Sequence, residues 1–175
     1  TEFATIKAAF PYMTITYNSL TAQLVFKLQN GTELARQTIT NGGNGYDPIT
    51  KGEISAPTLP STAQYHYTFK GGWSLTPDGE ADANALKKVE ADRIVYPVFV
   101  AELRTYNVYF YNLDTLMYTA ENVPYGGSAV YLGDYPENNT TGNTADFLFT
   151  GWSPLPDNIV GETRCYAQYE DRRAI

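Results

Sequence analysis

Val108-Tyr-Phe-Tyr-Asn112, followed by Val123-Pro-Tyr-Gly-Gly-Ser128, Phe149-Thr-Gly-Trp-Ser-Pro154 and Arg164-Cys-Tyr-Ala-Gln-Tyr169, decides the fold. In the first of these segments Val108, Phe110 and Asn112 share one face of an extended strand, and Tyr109 and Tyr111 share the other. The second carries a paired glycine, which supplies the positive φ of a tight turn. The third is a short aromatic strand running into Gly-Trp. The fourth is a closing strand of β-branched and aromatic type. Working outward towards the N-terminus, the same order returns. Leu24-Val-Phe-Lys-Leu28 answers residues 108–112, Asn41-Gly42-Gly43 answers Tyr125-Gly126-Gly127, and Phe69-Lys-Gly-Gly-Trp73 answers Phe149-Thr-Gly-Trp152. Val89 to Tyr96 answers Ile159 to Tyr166 with equal spacing, and Phe26 to Gly42 spans the same interval as Phe110 to Gly126. The extra length of the first half falls in 43–73 and 73–89, rich in Pro, Gly, Thr, Asn and Asp, where loops absorb insertions. The reading is a duplication.

The expected fold class is therefore mainly β: two tandem small β-sheet modules, with one short helix at most in the first. Residues 1–20 form an N-terminal segment whose alternating run Tyr12-Met-Thr-Ile-Thr-Tyr17 reads as an extra strand or the remnant of a preceding region. Residues 21–102 form the first module, 103–171 the second and 172–175 a tail. The stretch Asp82–Asp92 reads as one to three helical turns. Pro97 in the closing strand of the first half points to an edge strand or a bulge, since proline cannot donate to a ladder.

With 175 residues and a hydrophobic content of 43%, the chain has enough apolar material for packed cores rather than disorder. No apolar run approaches the roughly 20 residues of a spanning helix, and no basic-then-apolar leader opens the chain. The absence of an initiator Met reads as a piece excised from a longer polypeptide. Units of about 60–80 residues bury only about 60% of their unfolded surface and are marginal without staples. Cys165 is the single cysteine, so neither an intrachain disulfide nor a cysteine metal cage can supply that staple. Large aromatics must do so, which explains 15 Tyr and 8 Phe. The expected structural core is Phe26, Trp73, Tyr96, Phe110, Phe149, Trp152 and Tyr166, with Gly42, Gly43, Gly126 and Gly127 as turn glycines.

These residues also carry a resemblance. The run 108–170, and more loosely 24–100, resembles the Listeria–Bacteroides repeat, the B-repeat module of internalins and many bacterial surface proteins, with similar modules in phage structural proteins of gut bacteria. The resemblance implies a β-grasp-like unit, an extracellular place on a bacterial cell surface or virion surface, and no catalytic residues. Its implied roles are spacer, adhesion, and contact with a protein or glycan on a host or bacterial surface or with neighbouring virion subunits.

The chemistry-bearing residues point the same way. A net charge of −7 argues against a nucleic-acid partner. The single histidine, His66, alternates with tyrosines inside a strand and reads as structural or exposed. Cys165 reads as a small semi-buried thiol. Glu53, Asp78, Glu80, Asp114, Asp134, Glu137 and Asp157 sit in turn-like surroundings rather than as a paired acid and base. Asp78–Asn84 carries oxygen ligands at alternate positions, but an EF-hand would need Gly and Glu where Ala83 and Val89 stand. No metal or cofactor site is expected. Asn30-Gly-Thr and Asn138-Asn-Thr-Thr match the N-glycosylation pattern, which is uninformative in a bacterial or phage chain. A carbohydrate-binding module is the alternative function, with Tyr109, Tyr111 and Tyr118 on an outward face and loops 45–60 or 138–144 recognising glycans. An open edge strand offers β-addition of a partner strand as a further mode.

Overall fold

The computed structural model describes residues 2–12 and 20–173. The chain is mainly β and divides into two compact units, Thr1–Pro57 with Phe69–Phe99, and Thr58–Thr68 with Val100–Ile175. The strands are β1 (Thr21–Lys27), β2 (Glu33–Thr40), β3 (Tyr65–Ser74), β4 (Arg93–Leu103), β5 (Thr105–Asn112), β6 (Thr115–Pro124), β7 (Phe147–Ser153) and β8 (Thr163–Asp171). They form two four-stranded sheets, ordered β2-β1-β4-β3 and β6-β5-β8-β7. A helix α1 (Glu2–Ala9) precedes them. After Tyr12, the expected strand at 12–17 lies outside the described residues.

In the first sheet β1 pairs antiparallel with β2 and parallel with β4, with Leu24, Val25 and Phe26 opposite Arg93, Ile94 and Val95. Alternation sends Ala22, Leu24 and Phe26 inward, where they meet Ile39, Trp73, Ala85, Val89 and Val95. The rings of Phe26 and Trp73 meet edge to face at 4.6 Å. Two loop anchors close this face: Val89 N–H donates to Gly43 C=O at 2.9 Å, and Gly45 N–H to Leu86 C=O at 2.7 Å.

The second sheet uses the same devices. Phe110 lies opposite Cys165 in the parallel β5–β8 pair, and its ring meets Trp152 edge to face at 4.8 Å. Val108, Phe110, Ala120, Val123, Ala129, Ile159 and Cys165 are the buried cluster, flanked by Tyr106, Tyr118, Tyr131 and Trp152. Ile159 N–H donates to Gly127 C=O at 2.9 Å, and Ala129 N–H to Pro156 C=O at 2.8 Å. In each glycine pair the first member takes positive φ, +67° at Gly42 and +76° at Gly126. The second is required sterically at Gly127, where a Cβ would lie 2.9 Å from Pro124 C=O.

Several expectations are corrected. Tyr166 is not core: it is 44% exposed. Tyr96 is half-buried and also lies outside the buried cluster. In both closing strands the parallel register turns the preceding residue inward, Val95 beside Phe26 and Cys165 beside Phe110, so the tyrosine after it faces out. Phe149 and Trp152 are half-buried; Phe149 lies edge-on to Trp152 at 5.3 Å and to Tyr169 at 6.0 Å. Residues 82–92 contain no helix. Asp82 Oδ1 accepts Asn84 N–H at 2.7 Å, and the Arg93 guanidinium takes the carbonyls of Ala85 and Lys87 at 2.9 Å and Lys88 at 3.2 Å. Those bonds compete with a helical ladder and leave only tight turns. Strand β4 is an inner strand despite Pro97. Its pairing with β1 ends at Val95, and the fully buried Pro97 accepts a hydrogen bond on its C=O from Gln29 Nε2 at 3.0 Å.

Candidate functional site

The structure separates the three candidate surface tyrosines. Tyr118 lies directly across from Phe110, so its side chain shares the core face, 6.1 Å from Phe110 and 5.7 Å from Tyr131. It does not join Tyr109 and Tyr111, which alternation places on the opposite face of β5. That face gains Tyr166 instead: its ring stacks on Tyr111 at 5.4 Å with 21° between planes. Arg164 stands opposite Tyr109 in the parallel register. Tyr166 thus moves from the expected core to the candidate surface.

The titratable groups do not converge. His66 Nδ1 is hydrogen-bonded to Ser61 Oγ at 2.9 Å, and both residues are exposed. Cys165 is buried among apolar neighbours, which pushes its thiol pKa up and suppresses the thiolate. Glu53 accepts the Tyr46 hydroxyl at 2.8 Å, a bond that raises the tyrosine pKa. Tyr131 donates to Asp134 C=O, and burial raises its pKa. Glu137 contributes its C=O to Asn112 Nδ2 at 2.7 Å. Among the described residues no group of three or more His, Cys, Asp or Glu could hold a metal ion. Asp82, in the calcium-like run, spends its carboxylate on its own turn. No described helix is long and apolar enough to cross a membrane.

The candidate loops differ in what they offer. In 138–144 the buried Asn138 carboxamide oxygen accepts Thr140 N–H at 3.0 Å and its hydroxyl at 2.8 Å, a closed local turn. Loop 45–60 is pinned at its start by the buried Gln37, whose carboxamide bonds Tyr46 N–H at 3.0 Å and Tyr46 C=O at 2.8 Å. Beside that anchor a cleft of about 500 Å³ runs along β2 from Arg36 to Thr40 and reaches Gly43, Asn44 and Tyr46. A second cleft, about 430 Å³, is lined by Asn44, Leu75, Asn84, Lys87, Lys88 and Arg93. Sequence reasoning missed this basic group, because residues 44, 75, 84–88 and 93 meet only when the 82–89 turn closes. No protein-family model matches the chain, and no curated protein matches it either.

Proposed function

We propose that this chain is a non-enzymatic tandem module of the Listeria–Bacteroides repeat type, with β-grasp-like units. It acts as a spacer and as an adhesion or partner-binding surface of an extracellular protein, on a bacterial cell or a virion. The observation that carries this reading is the doubled construction: identical strand order, the Phe–Trp edge contact at 4.6 and 4.8 Å, and the Val89–Gly43 and Ile159–Gly127 bonds. Folding energy goes into two rigid aromatic cores, while the carboxylates serve turns and loops. To test it, fluorescently labelled chain is offered to intact bacterial cells, epithelial cells and isolated cell wall, with released products assayed in parallel. Saturable retention without product release is the expected result. Catalytic release of product from any of them overturns the reading.

A second reading, carbohydrate binding, is favoured by the Tyr111–Tyr166 stack on an open sheet face. Tyrosine supplies contact area at low entropic cost and packs on sugar rings. Under this reading Tyr166→Ala abolishes glycan retention while leaving the fold intact; unchanged retention removes the tyrosine face from consideration.

A further inference from the structure

On a chain of net charge −7, the cleft at Lys87 and Lys88 is lined by cations. Its lining contains two lysines, one arginine, two asparagines and Leu75, and no carboxylate. The acids of the same segment are placed elsewhere. Asp82 holds Asn84 N–H, Asp92 Oδ1 accepts Gln23 N–H at 2.8 Å, and Glu90 lines the neighbouring cleft against Gly42. Neither lysine makes an ion pair among the described residues. Arg93 fixes the wall through the carbonyls of Asn84, Ala85, Lys87 and Lys88, and Asn44 Oδ1 accepts Lys88 N–H at 2.9 Å, which turns the amide nitrogen of Asn44 away from that bond.

An independent observation concerns the backbone. Lys88 sits at φ +49°, and so does Asn158, the residue at the matching place before Ile159 in the second unit. Asparagine adopts the left-handed region more readily than lysine, so the first unit carries a small conformational cost at this residue. Such a conformation persists where the surroundings fix it, here through Asn44 Oδ1 on Lys88 N–H and Arg93 on Lys88 C=O. The second unit, with only 153–158 between Trp152 and Ile159, has no lysine there.

We propose that this cleft binds an acidic saccharide unit. The two ammonium groups meet its carboxylate or phosphate, the asparagine amides its hydroxyls, and Leu75 the apolar face of the ring. About 430 Å³ lies near the lower end of small-ligand sites, about 300–1,000 Å³, which suits one substituted sugar ring. The inference rests on the chain being a binding module, and it is independent of the tyrosine face.

The test titrates the whole chain with glucuronate, glucose 6-phosphate, glucose and inorganic phosphate, following backbone amide shifts by NMR. Saturable shifts confined to 44 and 84–88 are expected with the two acidic sugars, and at least tenfold weaker effects with glucose and with phosphate. Lys88→Asn should weaken acidic-sugar binding at least tenfold while its melting temperature stays equal or rises, and Lys87→Ala should weaken binding without unfolding. Equal binding of glucose, equal binding of phosphate, unchanged affinity in Lys88→Asn, or no shift with either acidic sugar each overturns the assignment. Failure here with retention on cells intact removes the cleft and leaves the module reading standing. Product release with a normal titration does the reverse.

Discussion

Gly45→Ala is the substitution whose cost is most directly calculable. Gly45 needs no unusual φ, so its requirement is steric. A Cβ there would stand 2.3 Å from Leu24 Cδ2 and 2.9 Å from Gln37 Oε1. Leu24 is fully buried, and the Gln37 carboxamide is held by both backbone groups of Tyr46, so neither neighbour yields cheaply. Overpacking of this kind costs about 1–3 kcal/mol. The second unit supplies the remedy. Its corresponding loop residue, whose N–H makes the matching bond, is Ala129, and the matching strand residue is Val108, one carbon shorter than Leu24. The two cores fill the same place with a large–small or a small–large pair. Leu24→Val alone should cost about 1 kcal/mol for the lost methylene. The double variant removes the clashing Cδ2 and should be more stable than the sum of the singles by about 1–2 kcal/mol. The assay is urea unfolding followed through Trp73 fluorescence in a Trp152→Phe background, so that the signal reports the first core. At about 4–8 °C per kcal/mol the single Gly45→Ala shift is also visible in a thermal scan. A neutral Gly45→Ala, or strict additivity in the double, refutes the reasoning.

Three further outcomes are expected. Cys165 is fully buried with a raised pKa, so thiol reagents should label it at the rate of unfolding, and labelling of the native protein at the free-thiol rate would contradict its place in the second core. Asp171, hydrogen-bonded by the Arg173 guanidinium and backbone N–H, should titrate at about 2 by NMR, and Arg173→Ala should return it towards 3.8. Because its folded pKa is depressed, its contribution to stability is present above the unfolded value and is lost as pH falls through about 2. Arg104 ties Thr58–Thr68 into the second unit, through its N–H to Gln64 C=O at 2.8 Å and its guanidinium to Thr62 C=O at 2.7 Å, and Tyr106 adds a bond to Ala63 C=O at 2.6 Å. Arg104→Ala should lose about 1 kcal/mol and open 58–64 to proteolysis first, and an unchanged cleavage pattern would refute that anchor.

Strands β1, β3, β4, β5, β7 and β8 were legible because alternation and Gly-Trp punctuation are local, and so were Phe26, Phe110 and Trp73 as core, whereas β2 and β6 were not singled out. What was not legible depended on partners distant in sequence. Val95-Tyr96 and Cys165-Tyr166 are apolar at both positions, so alternation alone leaves their phase open; the parallel neighbours Phe26 and Phe110 decide it and turn the tyrosines out. Residues 82–92 read as helix until the Arg93 guanidinium, placed by β4, claims their carbonyls. Thr58–Thr68 belongs with the second unit, where Arg104 and Tyr106 bond its carbonyls, a pairing that no local pattern announces. Matching positions in the two units then separate kinds of difference that sequence alone treats alike. Leu24 with Gly45 against Val108 with Ala129 is an exchange of volume, and packing accounts for it. Lys88 against Asn158 is not: both backbones have the same φ, lysine is the less favoured residue for it, and the bonds from Lys88 N–H to Asn44 Oδ1 and from Arg93 to Lys88 C=O hold the turn in place. Backbone hydrogen bonds fix the shape of that turn and leave the residue type open, so Lys88→Asn changes the charge of a cleft without acids while keeping its backbone.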